Sequence, residues 1–586
     1  MILACDAPPA VRVLIERVVR RAGGSGAERA ETARELLSHF AEALSAGTSP
    51  DAAIASFGDE RRAARLLRRA IRRKRGPLWK SWWWTSRSLG TVALVGTVGY
   101  VVLAARYWLV EPTVSVNYVA RLNSLMGVPS AEEEGWPLYR DALMRLNPLE
   151  RELNRAFEAK PGDLSPPKSV PLMETTPGTE AWDAAERALS EIGPQLEQIR
   201  AAAARPKLGV RVGAFSSEDM DLYSMDGRSG IASKWGAKSA AESSLVLTVL
   251  PHLAELQRAA RWLACDARHR ANRGELDEAI RDIGSIIEMA RQVDRPLLVD
   301  QLVSLAFVAM ASETSAALVT IAPERWTTAH LARLSDLLGR IDDDSLRISF
   351  AGERLCFEDV LQRCFSDDGA GSGHLVATSA ELPFASSHED ARPLLATLAL
   401  PAAALVGPSR AEAREIRAAA LDRAERIQST PSWKWAPMLL PDPPRHDGDT
   451  LRGVSGPGWL DDWLGGESAV RAATTFAKVR LRLDLCRVGI SLHRHRTETG
   501  SWPAALDSLV PVYLSELPAD PFTGEPLRYE LRAGEPVLWS VGPDLSDDGL
   551  AHPWPTQTLF DMMGRPAEWG GLWPKPPGDI QVWPFR

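Results

Sequence analysis

The chain has 586 residues, of which 45% are hydrophobic and 25% are charged. This length exceeds what one hydrophobic core supports, and the ordinary composition excludes a wholly disordered or collagen-like chain. The net charge of −8 is divided unevenly, because residues 1–87 hold 17 Lys and Arg against 9 Asp and Glu, and the other 499 hold 51 against 67. The chain therefore has a basic head and an acidic body, and the acidic body disfavours nucleic acid as a partner.

Residues 1–78 are predicted to form a small helical domain of three helices. Apolar residues recur at helical spacing from Leu36 to Leu44, and Thr48 or Ser49 caps a second helix. A third helix is predicted to begin at Asp59 and to carry the basic run RRAARLLRRAIRRKRG. The segments ELLSHFAEAL and AGTSPDAAIASFGD resemble the HAAS or permease prefix domain of bacterial permeases and sensor proteins. The resemblance implies a protein-interaction or signalling adaptor without catalysis; a surface of anionic lipid headgroups is the alternative place for the basic helix.

A transmembrane helix is predicted at residues 86–110. Ser88 to Ala105 carry no formal charge, and with the apolar flanks this run suits a bilayer core of about 30 Å. Trp residues precede the run, while Tyr107 and Trp108 follow it, as in an aromatic belt. The basic run before it places the N-terminus in the cytoplasm. The sequence thus predicts a single-pass protein of the bacterial cytoplasmic (inner) membrane, with an uncleaved signal anchor and the rest of the chain extracytoplasmic.

Residues 111–430 are predicted to form an extracytoplasmic α-helical bundle. Within 242–320, two long amphipathic helices are separated at NRGELDEA, as in a helical hairpin. The segment at 296–319 is more apolar than a surface helix, and we predict a central core helix there and not a second span. Residues 366–393 are predicted to be a mobile loop, and residues 431–467 a linker rich in Pro, Gly and Trp.

Four cysteines lie in the predicted extracytoplasmic part: Cys265, Cys356, Cys364 and Cys486. They permit three disulfide connectivities, and none has the spacing of a zinc site. Cys356 and Cys364 are too far apart to be bridged if one unbroken helix carries both. Free buried thiols are the expected state for most of the four.

The sequence pattern changes at residue 468, and the pattern of residues 468–586 predicts an α+β module. A helix of about 30 residues ends at Gly500, because glycine commonly terminates a helix. A short helix, a Pro-marked loop and two strands follow, the second strand leading into the acidic segment SVGPDLSDDG. A long helix packed on a small antiparallel sheet is the expected arrangement.

This module resembles the periplasmic domain of the major pseudopilins of type II secretion. The resemblance rests on TGSWP, LDSLVPVYLSELPADPFTGEPLRY, WSVGPDLSDDG and GDIQVW, which occur in this order. In that family two acidic elements form a calcium-binding loop. The resemblance therefore implies a structural Ca²⁺ site in which Asp544 and Asp579 match the family's acidic residues, with Asp547 and Asp548 as additional ligands.

The chain also departs from the pseudopilin pattern. Its predicted membrane span lies near residue 88, without the family's processed leader, and nothing supports assembly into a pseudopilus. About 30 residues (550–578) separate the two acidic elements. A solvated surface turn is the alternative interpretation of the acidic segment, because Asp, Ser and Gly are all turn residues.

No catalytic motif is evident, so the sequence favours a membrane-anchored, non-catalytic interaction or scaffold protein that binds an unidentified protein partner. A transmembrane signal transducer is one alternative. An extracytoplasmic hydrolase is the other, and its first candidate acids would be Glu353, Glu358, Asp367 and Asp368.

Overall fold

The computed structural model describes residues 7–74, 76–157, 177–224, 244–248, 250–369, 371–376, 407–435, 467–543, 545–551 and 579–583, with the single positions 401, 404 and 438. The chain divides into two compact units, Met1–Val102 and Leu103–Arg586. Helices make up most of both units, and the C-terminal unit also contains a three-stranded sheet. The prediction of a mainly helical chain is therefore confirmed.

The N-terminal unit begins with four helices: α1 (Pro9–Ala22), α2 (Gly26–Ser45), α3 (Pro50–Phe57) and α4 (Glu60–Lys74). Val11, Ile15 and Val18 of α1 form a separate hydrophobic core with Phe40 of α2 and Ala64 of α4. These α1 residues recur at helical spacing, yet the sequence analysis does not predict α1. The unit therefore has one more helix than expected, and that helix supplies much of its core.

Two helices in this unit begin at the predicted caps, Ser49 and Asp59, and a third begins at a cap that was not predicted, Ser25. The Ser49 side chain accepts a hydrogen bond from the Ala52 amide, and Asp59 accepts one from the Arg61 amide. Ser25 forms a capping box with Glu28, in which each side chain binds the other residue's backbone amide. Such caps satisfy amides that have no partner within the helix, which explains where α2, α3 and α4 begin.

Helix α5 (Pro77–Trp108) follows directly and contains a long apolar stretch. Its segment Trp84–Trp108 has a mean hydropathy of 1.8, and none of the apolar window is buried. Among the described residues, Leu298–Ile321 is the other helix apolar enough to cross a membrane, with a mean hydropathy of 1.7, but 67% of its window is buried. The burial of the second helix agrees with the predicted core helix.

The C-terminal unit continues with five helices before the central hairpin: α6 (Tyr118–Met126), α7 (Trp136–Phe157), α8 (Glu180–Glu191), α9 (Gly193–Ala203) and α10 (Ser217–Ser224). Next come α11 (Pro251–Arg273), α12 (Leu276–Val293) and α13 (Leu298–Ile321). The first two are joined at Gly274, whose φ of 86° is the left-handed conformation that glycine adopts readily. The predicted hairpin break at NRGELDEA is confirmed.

The remaining helices are α14 (Thr328–Gly339), α15 (Asp343–Leu346), α16 (Ala351–Cys364), α17 (Arg410–Gln428) and α18 (Glu467–Thr499). Helix α18 packs against α13, α14 and α17, and all four share one hydrophobic core. The sequence divides 111–430 from 468–586, whereas these two regions are joined through that core. Trp435, at the start of the predicted linker, is also buried in it.

The sheet consists of β1 (Arg528–Arg532), β2 (Glu535–Ser540) and β3 (Ile580–Trp583), in the order β1-β2-β3 with antiparallel neighbours. The predicted strands and the packing of the sheet on a long helix are both present. Gly489 of α18 lies against the Trp583 ring, so closely that a Cβ there would stand 2.3 Å from the ring. Glycine at this position therefore lets β3 approach the helix.

The four cysteines are free and buried, as expected for most of them. Cys356 and Cys364 lie on the unbroken helix α16, which keeps them apart. Burial raises the pKa of Cys265, Cys364 and Cys486 to about 12, so these thiols remain protonated at neutral pH.

Candidate functional site

The base of the acidic loop is held by Asp520, a residue to which the sequence analysis gives no role. Its carboxylate is buried and accepts hydrogen bonds from the Phe522 amide (2.9 Å) and the Val541 amide (3.0 Å). Asp520 thus ties the turn at DPFTGE to the first residue after β2. An Asp-Pro pair is a sequence signal for a turn, but it does not show which loop the carboxylate reaches.

Asp547 is anchored to the sheet. Arg528 Nε donates to its Oδ2 at 3.0 Å, while Trp539 Nε1 and the Gly549 amide donate to its Oδ1 at 3.2 and 3.1 Å. Partial burial opposes ionisation, but these hydrogen bonds outweigh it and lower the pKa of Asp547. Because Arg528 already balances its charge, Asp547 fits a positioning role better than that of a free metal ligand.

Asp548 and Asp579 lie side by side, although they are far apart in sequence. Asp579 is fully buried; its Oδ2 accepts a hydrogen bond from the Leu550 amide at 2.7 Å. Burial, together with the neighbouring Asp548 carboxyl, raises the pKa of Asp579 to about 6. Among the residues that the structure describes, none forms a hydrogen bond with the buried Oδ1 of Asp579. A cation between the two carboxylates would supply the missing partner and remove their mutual repulsion.

The structure therefore brings together two of the four predicted ligands, Asp548 and Asp579, and places Asp547 beside them in an ion pair. Asp544 lies outside the described residues. Among the residues that are described, no group of three or more His, Cys, Asp or Glu side chains forms a metal cluster. Two adjacent carboxylates, one with an orphaned oxygen, fit the carboxylate-rich chemistry of a hard cation.

We predict a pH dependence of stability that comes from Asp579. Its folded pKa of about 6 exceeds the unfolded value near 3.8. In the metal-free protein, the stabilisation that comes from protonated Asp579 is fully present below about pH 4 and is lost as the pH rises through 6. The difference between the folded and unfolded pKa corresponds to at most about 3 kcal/mol in the free energy of unfolding. The midpoint of urea unfolding of chelated protein should fall between pH 4 and 7, and Asp579→Asn should flatten this fall. An unchanged slope would contradict the assignment.

Each of the four candidate hydrolase acids binds a basic side chain or a backbone amide: Glu353, Glu358, Asp367 and Asp368. Glu358 is bidentate with Arg414, at 2.6 and 2.8 Å. Asp368 accepts a hydrogen bond from the Ser372 amide at 3.0 Å. Glu358 thus links α16 to α17, while Asp368 holds a turn within the segment that follows α16.

The other two acids show the same pattern. Asp367 accepts from the Gly369 amide and lies 3.0 Å from Arg410, and both contacts lower its pKa. Burial raises the pKa of Glu353, although Arg417 at 3.5 Å opposes the rise. The two acids stand in separate ion pairs with Arg410 and Arg417, an arrangement that links α17 to α16 and to the segment after it.

The last turn of α5, from Leu103 to Trp108, belongs to the C-terminal unit. Tyr107 is only 4% exposed and contacts the cluster that contains Phe357 and Leu361 of α16. Arg106 Nε lies 3.1 Å from His374 Nε2. A cavity of about 230 Å³ opens beside Arg106, His374 and Ser409. The last turn of α5 is therefore part of the hydrophobic core of the C-terminal unit.

Two features remain as candidates for function: the carboxylate pair in the acidic loop and the exposed apolar helix that is packed at one end. Comparison of the chain with family models, curated proteins and solved structures finds no match. The function must therefore be inferred from the geometry of these two features.

Proposed function

We propose that the chain is a single-pass protein of the bacterial cytoplasmic membrane whose residues 111–586 form a non-catalytic interaction or scaffold region outside the cytoplasm. The observation that carries this proposal is the complete exposure of the apolar window in Trp84–Trp108. A helix of this length spans about 37 Å, enough for a bilayer core of about 30 Å. Exposed Val and Leu along this helix would be unfavourable in water and favourable in lipid.

The way in which the chain after α5 is bound to α16 supports a function close to the membrane surface. The Ser115 and Val116 amides both donate to Gln362 Oε1, at 3.2 and 3.1 Å, and Gln362 Nε2 donates back to the Val116 carbonyl. Together with buried Tyr107, these bonds hold the chain on α16 within about eight residues of the span. A protein that offers a surface to a partner near the bilayer would have this short connection and need no long stalk.

We further propose that Asp548 and Asp579, with Asp544, hold a structural Ca²⁺ that orders the acidic loop. Ca²⁺ takes carboxylate and carbonyl oxygens, and the orphaned Oδ1 of Asp579 fits that chemistry. The metal would not act on a substrate. It would fix the loop after β2 against β3 and so shape this face of the module. The pseudopilin-like sequence motifs support the same role.

Calcium should bind the purified full-length protein in detergent and raise its melting temperature. Titration calorimetry after chelation should give heat in the wild type and none in Asp548→Asn/Asp579→Asn. The control Asp507→Asn changes an exposed acid outside the loop and should keep both the heat and the thermal shift. Equal heat in the wild type and the double variant would contradict the site.

A second candidate, a transmembrane signal transducer, is favoured by one observation: α5 is one continuous helix whose last turn, from Leu103, belongs to the C-terminal unit. A movement of that unit would therefore be passed to the span and not absorbed by a flexible linker. The transducer needs two states that differ in the position of α5. If Tyr107→Gly leaves folding intact and changes nothing in the protease sensitivity of the head, the anchored scaffold remains the better account.

A further inference from the structure

The exposed face of α4 carries a row of arginines. Arg62, Arg65, Arg69, Arg72 and Arg73 are all exposed and follow helical spacing, so they lie on one side of the helix. The opposite side carries buried Ala64, with half-buried Leu67 and Ile71 packed toward the core of the head. Folding of the head thus turns the cationic side of α4 outward.

These charges are not neutralised within the head. Among the described residues, none of the five arginines forms an ion pair with a carboxylate. Glu60, the one acid on α4, pairs instead with Arg17 and Arg21 of α1, each at 3.0 Å. The arginine row is therefore an excess positive surface that is available to an external anionic partner.

The position of the row relative to the apolar helix favours lipid as that partner. Helix α4 ends at Lys74 and α5 begins at Pro77, while the apolar segment begins at Trp84. Seven helical residues extend about 10 Å, which is about one Debye length at 0.1 M salt. The end of α4 thus lies within electrostatic reach of the headgroups.

An apolar side chain within the row fits the same surface. Leu66 lies among the arginines and is 58% exposed, although the head has its own core. Basic residues with an interspersed apolar residue are the pattern of helices that rest on anionic membranes, where the apolar group enters the boundary and the cations meet phosphates. An acidic protein surface would explain the charges but not the exposed leucine.

We propose that the arginine face of α4 (Arg62, Arg65, Arg69, Arg72 and Arg73) binds anionic phospholipid headgroups of the cytoplasmic leaflet and holds the head against the membrane. This inference rests on the proposed membrane span. Its consequence is that the head has a lipid-bound state and a released state, and that the balance between them depends on lipid charge and ionic strength.

The test uses the full-length chain in lipid nanodiscs. A polarity-sensitive fluorophore is placed on Leu66→Cys in a Cys5→Ser background, in which the four remaining cysteines are buried. One set of discs contains phosphatidylcholine alone, and the other contains one third phosphatidylglycerol. The emission should shift to the blue in the anionic discs and return to the neutral-disc value at high salt.

Neutralising three arginines should remove the effect. Each Arg near an anionic surface contributes about 1 kcal/mol, roughly a fivefold change in the bound-to-free ratio, so Arg62→Gln/Arg69→Gln/Arg73→Gln should lower it about a hundredfold. The control triple, Arg20→Gln/Arg29→Gln/Arg34→Gln, changes three exposed arginines of α1 and α2 and should keep the blue shift. Circular dichroism of each variant reports whether the head is folded.

The outcomes separate the inference from the proposed function. If the protein enters the discs but its emission is identical in both lipids, the proposed lipid contact is wrong. An acidic protein would then be the better candidate partner for the arginine face, and the proposed membrane span would be unaffected. Failure to incorporate into either disc would overturn the span, and the inference with it. A blue shift that the control triple also abolishes would show a nonspecific charge effect and would overturn the assignment to α4.

Discussion

Replacing Val95 and Val98 with Asp should release the full-length protein from the membrane fraction. Both side chains lie near the middle of Trp84–Trp108 and are 65% and 55% exposed, so neither belongs to a protein core. Each Asp at the centre of a spanning helix costs about 3 kcal/mol, and two should prevent stable insertion. Carbonate extraction followed by immunoblotting would measure the change as a shift from pellet to supernatant.

The control for this experiment keeps the positions and changes only the polarity. Val95→Leu/Val98→Leu should remain in the carbonate-resistant pellet, because leucine is as apolar as valine. If the Asp variant also stays in the pellet, another segment holds the protein in the membrane. The candidate would then be α13, the second apolar helix, and its assignment as a core helix would fail.

The second large effect is expected at a buried ion network in the C-terminal unit. Arg200 of α9 is 4% exposed; its Nε donates to Asp282 of α12 at 2.6 Å, and its Nη2 donates to Asp266 of α11. Burial raises the pKa of Asp282 to about 7, although Arg200 opposes the rise. The network thus joins three helices through charges that have little access to water.

Arg200→Met should destabilise the C-terminal unit by about 3 kcal/mol, because the two buried carboxylates then share only Arg270, whose Nε lies 2.7 Å from Asp266 and 3.6 Å from Asp282. Chemical denaturation of the detergent-solubilised protein would report the loss. The triple variant Arg200→Met/Asp266→Asn/Asp282→Asn should recover much of it, since both buried carboxylate charges are then gone and the remaining cation, Arg270, is 19% exposed and reaches water. A loss below about 1 kcal/mol in Arg200→Met would contradict this account of the network.

Local sequence patterns correctly predicted those helices, strands and turns whose formation depends mainly on residues close together in the sequence. The break at Gly274, the apolar core helix α13 and the strands β1 and β2 follow from periodicity and from turn residues. The same helical periodicity is present in α1, although this helix was not among those predicted. The shared core of α13 and α18 was beyond this reasoning, because no local signal reports a contact between residues more than 140 positions apart.

The acidic loop was likewise predicted only in part. A resemblance in motif order pointed to Asp544 and Asp579, with Asp547 and Asp548 as additional ligands, and the structure brings Asp548 and Asp579 together. It did not reveal that Asp547 binds Arg528 on β1, nor that Asp520 holds the base of the loop. Such contacts join separate turns and strands, and they depend on the register of the sheet, which the residue types alone do not specify.

The topology of the chain tests the central claim most directly. Single cysteines are introduced at exposed Ser38 in the head and exposed Ser508 in the C-terminal module, each in the Cys5→Ser background. Intact cells with a permeabilised outer membrane are then treated with a membrane-impermeant maleimide. We expect Ser508→Cys to react in intact cells and Ser38→Cys to react only after lysis. Labelling of Ser38→Cys in intact cells, or of neither position before lysis, would contradict a single-pass protein with a cytoplasmic head.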